Sequence, residues 1–304
     1  MGLNRTLGIF APSSRCRAED LTKIVDVLEK DFAFKLTIYP STLEKLSAEQ
    51  KAKEFLKAAL EDSCEVLLCA RGGESCADIL PFLDPFKTDF KQATIKKKVL
   101  GMSDNTPLLL FLADCGWPAF YGHVAAFFTR ELLTPITHES FLKCLNDHPQ
   151  DLSLKPLNPA GKQLQSLEAE VCGGNLTLLN LSLKESWEFE AAEKILFMED
   201  WHELPYAVDR VLKHFERIQK FSAAKALIFG DFMGNLPSSR PPLTLEAQEA
   251  LNAVLERFAS RTPCPVFQAS YLGHLKEIRP ILLGKGKILK LEQTWVLRTG
   301  RKLD

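Results

Sequence analysis

The chain has 304 residues, which is more than a single hydrophobic core usually organises, so two domains are expected. Its 38 basic residues balance 39 acidic ones, and 46% of all residues are hydrophobic. This is the composition of an ordinary globular protein, and it excludes a small chain held together mainly by disulfides or a metal. Because no excess of positive charge is available for a phosphate backbone, we expect no nucleic-acid partner.

The eight cysteines form no Cys-x-x-Cys pair, and most of them lie in apolar runs where a free thiol behaves as a small hydrophobe. We therefore expect them to be reduced and buried. The apolar run that ends at Pro12 is too short for a signal peptide, and no window reaches the length of a membrane span. These features predict a cytoplasmic protein without membrane contact.

Strands and helices alternate along the first half of the chain. Residues 7–11 form an apolar run stopped by Pro12, and apolar residues then recur at helical spacing from Leu21 to Leu28. The same alternation predicts strands at 35–39, 65–70 and 99–101 and helices at about 42–60 and 107–113. Apolar strands that alternate with helices indicate a parallel sheet covered on both faces, so we expect an α/β domain of the Rossmann or flavodoxin type.

The composition changes to Asp, Pro, Lys and Asn over residues 147–165, which predicts a linker between an N-terminal domain at 1–146 and a C-terminal domain at 166–304. The second half carries apolar runs at 176–181, 194–198 and 226–229, helices around 206–218 and 244–258, and short strands after residues 265, 286 and 293. This order is less regular, so we expect a smaller domain of mixed α/β type.

Loops at the carboxyl ends of parallel strands form the ligand sites of open sheets. Arg71, Gly72 and Gly73 follow the apolar strand at 65–70. Two adjacent glycines permit a tight turn whose backbone N–H groups face outward and can hold an anion. A turn that merely needs a positive φ is the alternative interpretation.

A second loop, residues 101–107, joins the strand at 99–101 to the next helix, with Pro107 suited to the first helical turn. Ser103 therefore lies at a sharp strand-to-helix corner that exposes its hydroxyl, and the N–H of Asp104 points to where an oxyanion would develop. The match to Gly-x-Ser-x-Gly is partial, because Asn105 occupies the second glycine position. A polar turn residue or helix cap is the alternative role for Ser103.

A nucleophilic serine needs a base and an acid that orients the base. Of the six histidines, His274 is the best placed for a site, because it follows a short strand. Glu199 ends the apolar run at 194–198, where a buried carboxylate requires a partner. A capping or salt-bridged carboxylate is the alternative for Glu199.

Seven short motifs resemble, in the same order, those of the LD-carboxypeptidase family of serine peptidases (S66), which includes the microcin C immunity peptidases. The resemblance covers nearly the whole chain, and no single motif carries it alone. The motifs are Ala-Pro-Ser-Ser at 11–14, Arg-Gly-Gly at 71–73, Gly-Met-Ser-Asp at 101–104, Gly-Gly-Asn-Leu at 173–176, Leu-Phe-Met-Glu-Asp at 196–200, Pro-Tyr at 205–206 with Asp-Arg at 209–210, and Gly-His at 273–274.

The resemblance implies a two-domain enzyme, usually a homodimer, with a Ser–His–Glu triad. Carried over by motif, the triad residues are Ser103, His274 and Glu199, and the backbone N–H groups of Gly73 and Asp104 form the oxyanion hole. No metal and no cofactor are implied. The family's substrates are small peptides, murein tetrapeptides cut at the LD bond that releases the terminal D-alanine, which places the activity in cell-wall recycling.

Three positions depart from the family's pattern. Glu74 follows the Arg-Gly-Gly motif where a tyrosine is common, His123 replaces a usual proline, and Ala207 replaces an arginine. They leave the triad types in place but leave the substrate open, since pocket residues set specificity. The alternatives are a serine hydrolase of peptidyl- or aminoacyl-nucleotides, as in the immunity peptidases, and a non-catalytic protein that binds an anion or peptide on the same fold.

Overall fold

The computed structural model of the chain describes residues 5–234 and 243–301. The chain forms two compact units, and the boundary between them lies between His138 and Glu139. The second unit is the longer of the two, so the expectation of a smaller C-terminal domain was wrong. Within the described ranges, none of the helices combines the length and the apolar character that crossing a bilayer requires.

The first unit is built on a parallel sheet with the strand order β5-β4-β3-β1-β2, which confirms the predicted parallel sheet. This is the flavodoxin order, in which the carboxyl ends of all strands share one edge. The elements are β1 (Thr6–Phe10), α1 (Ala18–Lys30), β2 (Lys35–Ile38), α2 (Ala48–Leu56), β3 (Val66–Cys69), α3 (Leu80–Leu83), α4 (Lys87–Gln92), β4 (Lys98–Gly101), α5 (Thr106–Asp114) and β5 (Ala119–Tyr121), and α6 (Pro135–Leu145) spans the boundary between the units.

The helix predicted at about 42–60 begins later than expected. Its first residue is Ala48, because Ser47 accepts the backbone N–H of Gln50 while the Gln50 side chain accepts the N–H of Ser47. This reciprocal capping box defines a helix start, whereas Pro40–Thr42 form only a short 3₁₀ turn. The earlier residues therefore belong to the loop that follows β2.

The second unit is built on a mixed sheet of seven strands that closes on itself in the order β10-β6-β13-β12-β7-β8-β9. Strands β7, β8, β9 and β10 run parallel, and the remaining pairs are antiparallel. The elements are β6 (Gln150–Pro156), α7 (Pro159–Gln163), β7 (Ser166–Asn175), α8 (Leu176–Leu181), β8 (Lys194–Glu199), α9 (Pro205–Arg217), β9 (Ala226–Phe229), α10 (Leu245–Arg261), β10 (Val266–Ala269), β11 (Ile281–Leu282), β12 (Gly284–Leu291) and β13 (Thr294–Thr299).

The segment at 147–165, predicted as a linker, instead contains strand β6 of this second sheet and helix α7. Along β6 the buried residues Gln150, Leu152 and Leu154 alternate with more exposed polar ones, so only one face contributes apolar residues and the sequence signal is weak. Pro156 ends β6 and Pro159 starts α7, both positions that proline tolerates. The prolines therefore mark the ends of elements and not a domain boundary.

Candidate active site

Ser103 lies directly beyond β4 on a strained corner. Its φ of 62° is in the left-handed region, which costs a non-glycine residue about 1–3 kcal/mol and is common at functional sites. Its backbone N–H donates to the Tyr121 hydroxyl at 3.0 Å, and the Thr106 hydroxyl donates to its carbonyl at 2.7 Å. The half-buried serine is thus held by contacts on both sides, in the strand-to-helix geometry expected from the sequence.

Asn105 ties this corner to two other loops, a role that sequence reasoning missed. The residue is fully buried, and its side-chain amide donates to the Ser13 hydroxyl at 2.7 Å and to the Arg71 carbonyl at 3.3 Å. Its oxygen accepts the N–H of Met102 at 3.1 Å. A polar residue at the start of an otherwise apolar helix was the available signal.

The Arg-Gly-Gly loop passes directly against the serine. A Cβ on Gly72 would lie 2.9 Å from the Cβ of Ser103 and 3.2 Å from its hydroxyl, and one on Gly73, at φ 130°, would collide with Ser14. In the described part of the chain, the backbone N–H groups of Gly73 and Asp104 donate to no acceptor. One N–H donor is therefore available in the loop that carries Ser103 and one in the Arg-Gly-Gly loop, and an oxyanion hole needs such donors.

The side chain of Asp104 serves the fold of these loops. Its Oδ2 accepts the backbone N–H of Cys76 at 3.0 Å. Burial raises the pKa of Asp104, and its contact with the Ser13 hydroxyl partly opposes that effect. The backbone of Asp104, not its carboxylate, is the part that can face a reacting group.

Glu199 and His274 form a buried pair in the second unit. Glu199 ends β8 and His274 follows β10, and the Glu199 Oε2 lies 2.8 Å from the His274 Nδ1. Burial lowers the pKa of His274, but the carboxylate of Glu199, helped by Asp200 and Asp231, outweighs it and raises the pKa above the usual 6.5. A carboxylate at Nδ1 favours the tautomer in which Nε2 can accept a proton.

Asp200 fastens the end of β8 beside this pair. It accepts hydrogen bonds from the Asn175 amide at 2.6 Å, from the N–H and hydroxyl of Thr177 at 3.0 and 2.8 Å, and from its neighbour Trp201 at 2.8 Å. Burial and the adjacent Glu199 raise the pKa of Asp200. Four donors on one carboxylate fix the turn from which Glu199 projects.

Asp231, which follows β9, is a second residue that the sequence reasoning missed. Its N–H donates to the Leu272 carbonyl at 2.8 Å, its carbonyl accepts the Asp200 N–H at 3.0 Å, and its Oδ2 accepts the Gly234 N–H at 2.6 Å. Burial raises the pKa of Asp231. An acid just after the apolar strand at 226–229 was the signal. Asp231 joins the loops that carry Glu199 and His274.

The three departures from the family pattern lie in different surroundings. His123 is completely buried, and burial lowers its pKa to about 3, so it stays neutral in neutral solution. Glu74 is exposed in the first unit, and Ala207 lies in the first turn of α9. Among the described residues, no group of three or more His, Cys, Asp and Glu side chains is placed to hold a metal ion.

The structure thus brings Gly72 and Asp104 to Ser103 in the first unit, and Glu199 to His274 in the second, while Gly73 packs against Ser14. A strained serine, backbone N–H donors that lack an acceptor among the described residues, and a histidine–carboxylate pair are features that serine hydrolases combine. Residues 7–122 match the model of the LD-carboxypeptidase N-terminal domain, and residues 168–289 match that of the C-terminal domain. The chain belongs to the LD-carboxypeptidase family, which confirms the resemblance.

Known relatives agree with this membership. A Rickettsia conorii protein named as a carboxypeptidase is 31% identical over 245 residues, which cover 78% of this chain and 71% of that protein. The crystal structure of a muramoyltetrapeptide carboxypeptidase from Oxalobacter formigenes is 25% identical, with a TM-score of 0.82 over 97% of this chain and 98% of that one. A microcin C7 self-immunity protein in complex with aspartyl sulfamoyl adenosine shares the fold at 22% identity, with a TM-score of 0.77 over 100% and 98%.

Proposed function

We propose that the chain is a serine carboxypeptidase in which Ser103 is the nucleophile, His274 the general base and Glu199 the acid that orients the base. The observation that carries the proposal is the buried 2.8 Å contact between Glu199 and His274. The strained corner at Ser103 supports the assignment of the nucleophile, because such a backbone persists only where the surroundings enforce it.

The reaction follows from these roles. His274 takes the Ser103 proton through Nε2 as the serine oxygen attacks the carbonyl carbon of the scissile bond, and Glu199 stabilises the imidazolium that forms. The same imidazolium returns the proton to the leaving amine, which frees the C-terminal residue. Water, activated by His274, then releases the acyl group from Ser103.

The backbone N–H groups of Gly73 and Asp104 are the proposed oxyanion hole. Fixed donors aimed at a developing negative charge lower the barrier without any reorganisation during the reaction. Gly73 suits this role because a side chain there would collide with Ser14, so the backbone stays uncovered.

The proposed substrate is a murein tetrapeptide, from which the enzyme releases the terminal D-alanine. The muramoyltetrapeptide specificity named for the Oxalobacter protein supports this choice, since that protein matches almost the full length of this chain. Recycling of such peptides would place the enzyme in the cytoplasm, and the family resemblance favours a homodimer. An aminoacyl nucleotide of the kind bound by the microcin immunity protein is the competing substrate.

The test is incubation of the protein with a murein tetrapeptide and, separately, with aspartyl sulfamoyl adenosine, followed by mass spectrometry of the products. We expect release of D-alanine from the peptide, loss of that release in Ser103→Ala, and a melting temperature that changes little. Ser260→Ala, which removes an exposed serine of α10, is the matched control and keeps full turnover. Turnover retained in Ser103→Ala would contradict the proposal, and cleavage of the nucleotide alone would replace the substrate.

A further inference from the structure

A polar cavity of about 720 Å³ lies in the first unit at the carboxyl ends of the parallel strands. The loops after β1, β2 and β3 line it, through residues such as Ser13, Leu46 and Ser75. In the strand order β5-β4-β3-β1-β2, the chain turns from one side of β1 to the other between β2 and β3. Open α/β sheets bind ligands at this switch point, so the fold itself favours a binding site here.

The cavity is connected to Ser103 through its walls. Ser13 lines the cavity and accepts the hydrogen bond of Asn105, which belongs to the serine corner. Ser14 also lines it and fills the space that a side chain on Gly73 would need. The cavity therefore begins at the two residues that support the nucleophile and the proposed oxyanion hole.

Charges of both signs line this cavity, four of them positive and three negative. Arg17 already pairs with Glu19 and Asp20, outside the cavity. In the described part of the chain, the other six ionisable side chains of the lining, excluding the thiol, form no ion pair with one another or with any other residue. They are Arg15, Lys45 and Lys51 on the positive side and Glu44, Glu74 and Asp78 on the negative side.

Lys51 shows that the cavity is prepared for an anion. The half-buried ammonium donates to the Ser13 carbonyl at 2.6 Å and to that of Pro12 at 3.3 Å, so one of its three N–H donors has no acceptor among the described residues. Burial lowers the pKa of Lys51, as expected for a cation that lacks a full ionic partner. A carboxylate in the cavity would supply that partner.

We propose that this cavity binds a zwitterionic amino-acid group of the substrate, in which an ammonium and a carboxylate share one carbon atom. Cations and anions that form no ion pairs with one another complement a ligand that carries both charges, whereas a phosphate or a simple amine would meet repulsion from the like charges of the lining. The inference rests on the proposed peptidase function and adds a specificity subsite to it. It also gives Glu74, which departs from the family pattern, the role of facing the ammonium.

The test compares three tetrapeptides that differ only at the end of the third side chain. Meso-diaminopimelate carries both charges, lysine lacks the carboxylate, and 2-aminopimelate lacks the ammonium. For the wild-type protein we expect kcat/KM for D-alanine release to fall by about 10- to 100-fold for either single-charge peptide, the worth of one charge-assisted hydrogen bond. The fall should appear mainly in KM.

Two variants assign the charges. Lys45→Gln should shrink the preference for diaminopimelate over lysine, and Glu74→Gln should shrink the preference over 2-aminopimelate. Lys53→Gln and Glu49→Gln, which break an exposed ion pair on α2 outside the cavity, are the matched controls and should keep the wild-type ratios. Because each readout is a ratio within one variant, a general loss of folded protein does not affect it.

Two failures can be told apart. If the wild-type protein cleaves all three peptides equally, or if Lys45→Gln and Glu74→Gln keep the wild-type ratios, the subsite is refuted and the peptidase function stands. If no tetrapeptide is cleaved, the proposed function fails, and calorimetric titration of the Ser103→Ala protein with the same peptides decides the subsite alone. Equal affinity for the three peptides, or none, would overturn it.

Discussion

Replacing Glu199 by glutamine tests the buried histidine–carboxylate pair with the smallest change of shape. Glu199 is fully buried, and its Oε2 lies 2.8 Å from the His274 Nδ1. A glutamine fills the same volume but can turn its NH₂ group toward Nδ1. Nδ1 then accepts a hydrogen bond, the ring proton moves to Nε2, and His274 can no longer take a proton from Ser103.

The expected loss is large because no water reaches Glu199 to replace the missing carboxylate. A triad acid changed to an amide lowers kcat by about 10⁴-fold, which corresponds to about 5.5 kcal/mol at 1.36 kcal/mol per tenfold change. Initial rates of D-alanine release give the effect on kcat, and thermal unfolding checks that the variant folds. Glu203→Gln, on the loop that follows β8, is the control and should keep most of the activity. Loss of turnover in Glu203→Gln with turnover kept in Glu199→Gln would refute the assignment.

Three further substitutions probe the loops around this pair. Asp231→Asn removes one of the carboxylates that raise the pKa of His274. Because the base must be neutral, the acidic limb of the kcat/KM profile should lie above pH 6.5 in the wild type and move to lower pH in the variant. An unmoved limb would contradict the electrostatic role of Asp231. Gly273→Ala places a Cβ 3.0 Å from the Glu199 Oε2 at a φ of 111°, so kcat/KM should drop strongly, and wild-type kinetics would exclude this tight fit. Asp200→Asn points an amide NH₂ group at the N–H donors of Asn175, Thr177 and Trp201, so one of them loses its acceptor. Urea titrations should show a free energy of unfolding lower by about 1–3 kcal/mol, and an unchanged midpoint would contradict this role of the carboxylate.

The parallel sheet of the first unit could be predicted because its strands are almost wholly apolar. Val66–Cys69 is buried at every position, and its run of apolar residues between two helical patterns predicts a strand. The start of α2 was misplaced, because the capping box of Ser47 and Gln50 ends the loop that follows the Pro40 turn. Patterns of hydrophobicity locate elements better than their ends.

The second unit was harder to predict for a physical reason. Strand β6 buries one face only, and its Asp, Ser and Lys residues made it resemble a linker. The pairing of Glu199 with His274 joins residues 75 positions apart, and only the parallel order of β8, β9 and β10 brings their ends together. The motifs identified both residues, whereas Asn105 and Asp231 act through contacts that no local pattern reveals.

The most direct test of the proposed serine chemistry is the rate at which a fluorophosphonate modifies the protein, followed by peptide mapping of the modified residue. We expect a single phosphonylated residue, Ser103, with a modification rate that falls sharply in His274→Ala and in Glu199→Gln but not in His123→Ala. Modification of a different residue, or modification of Ser103 at an unchanged rate in His274→Ala, would contradict the assignment of nucleophile and base.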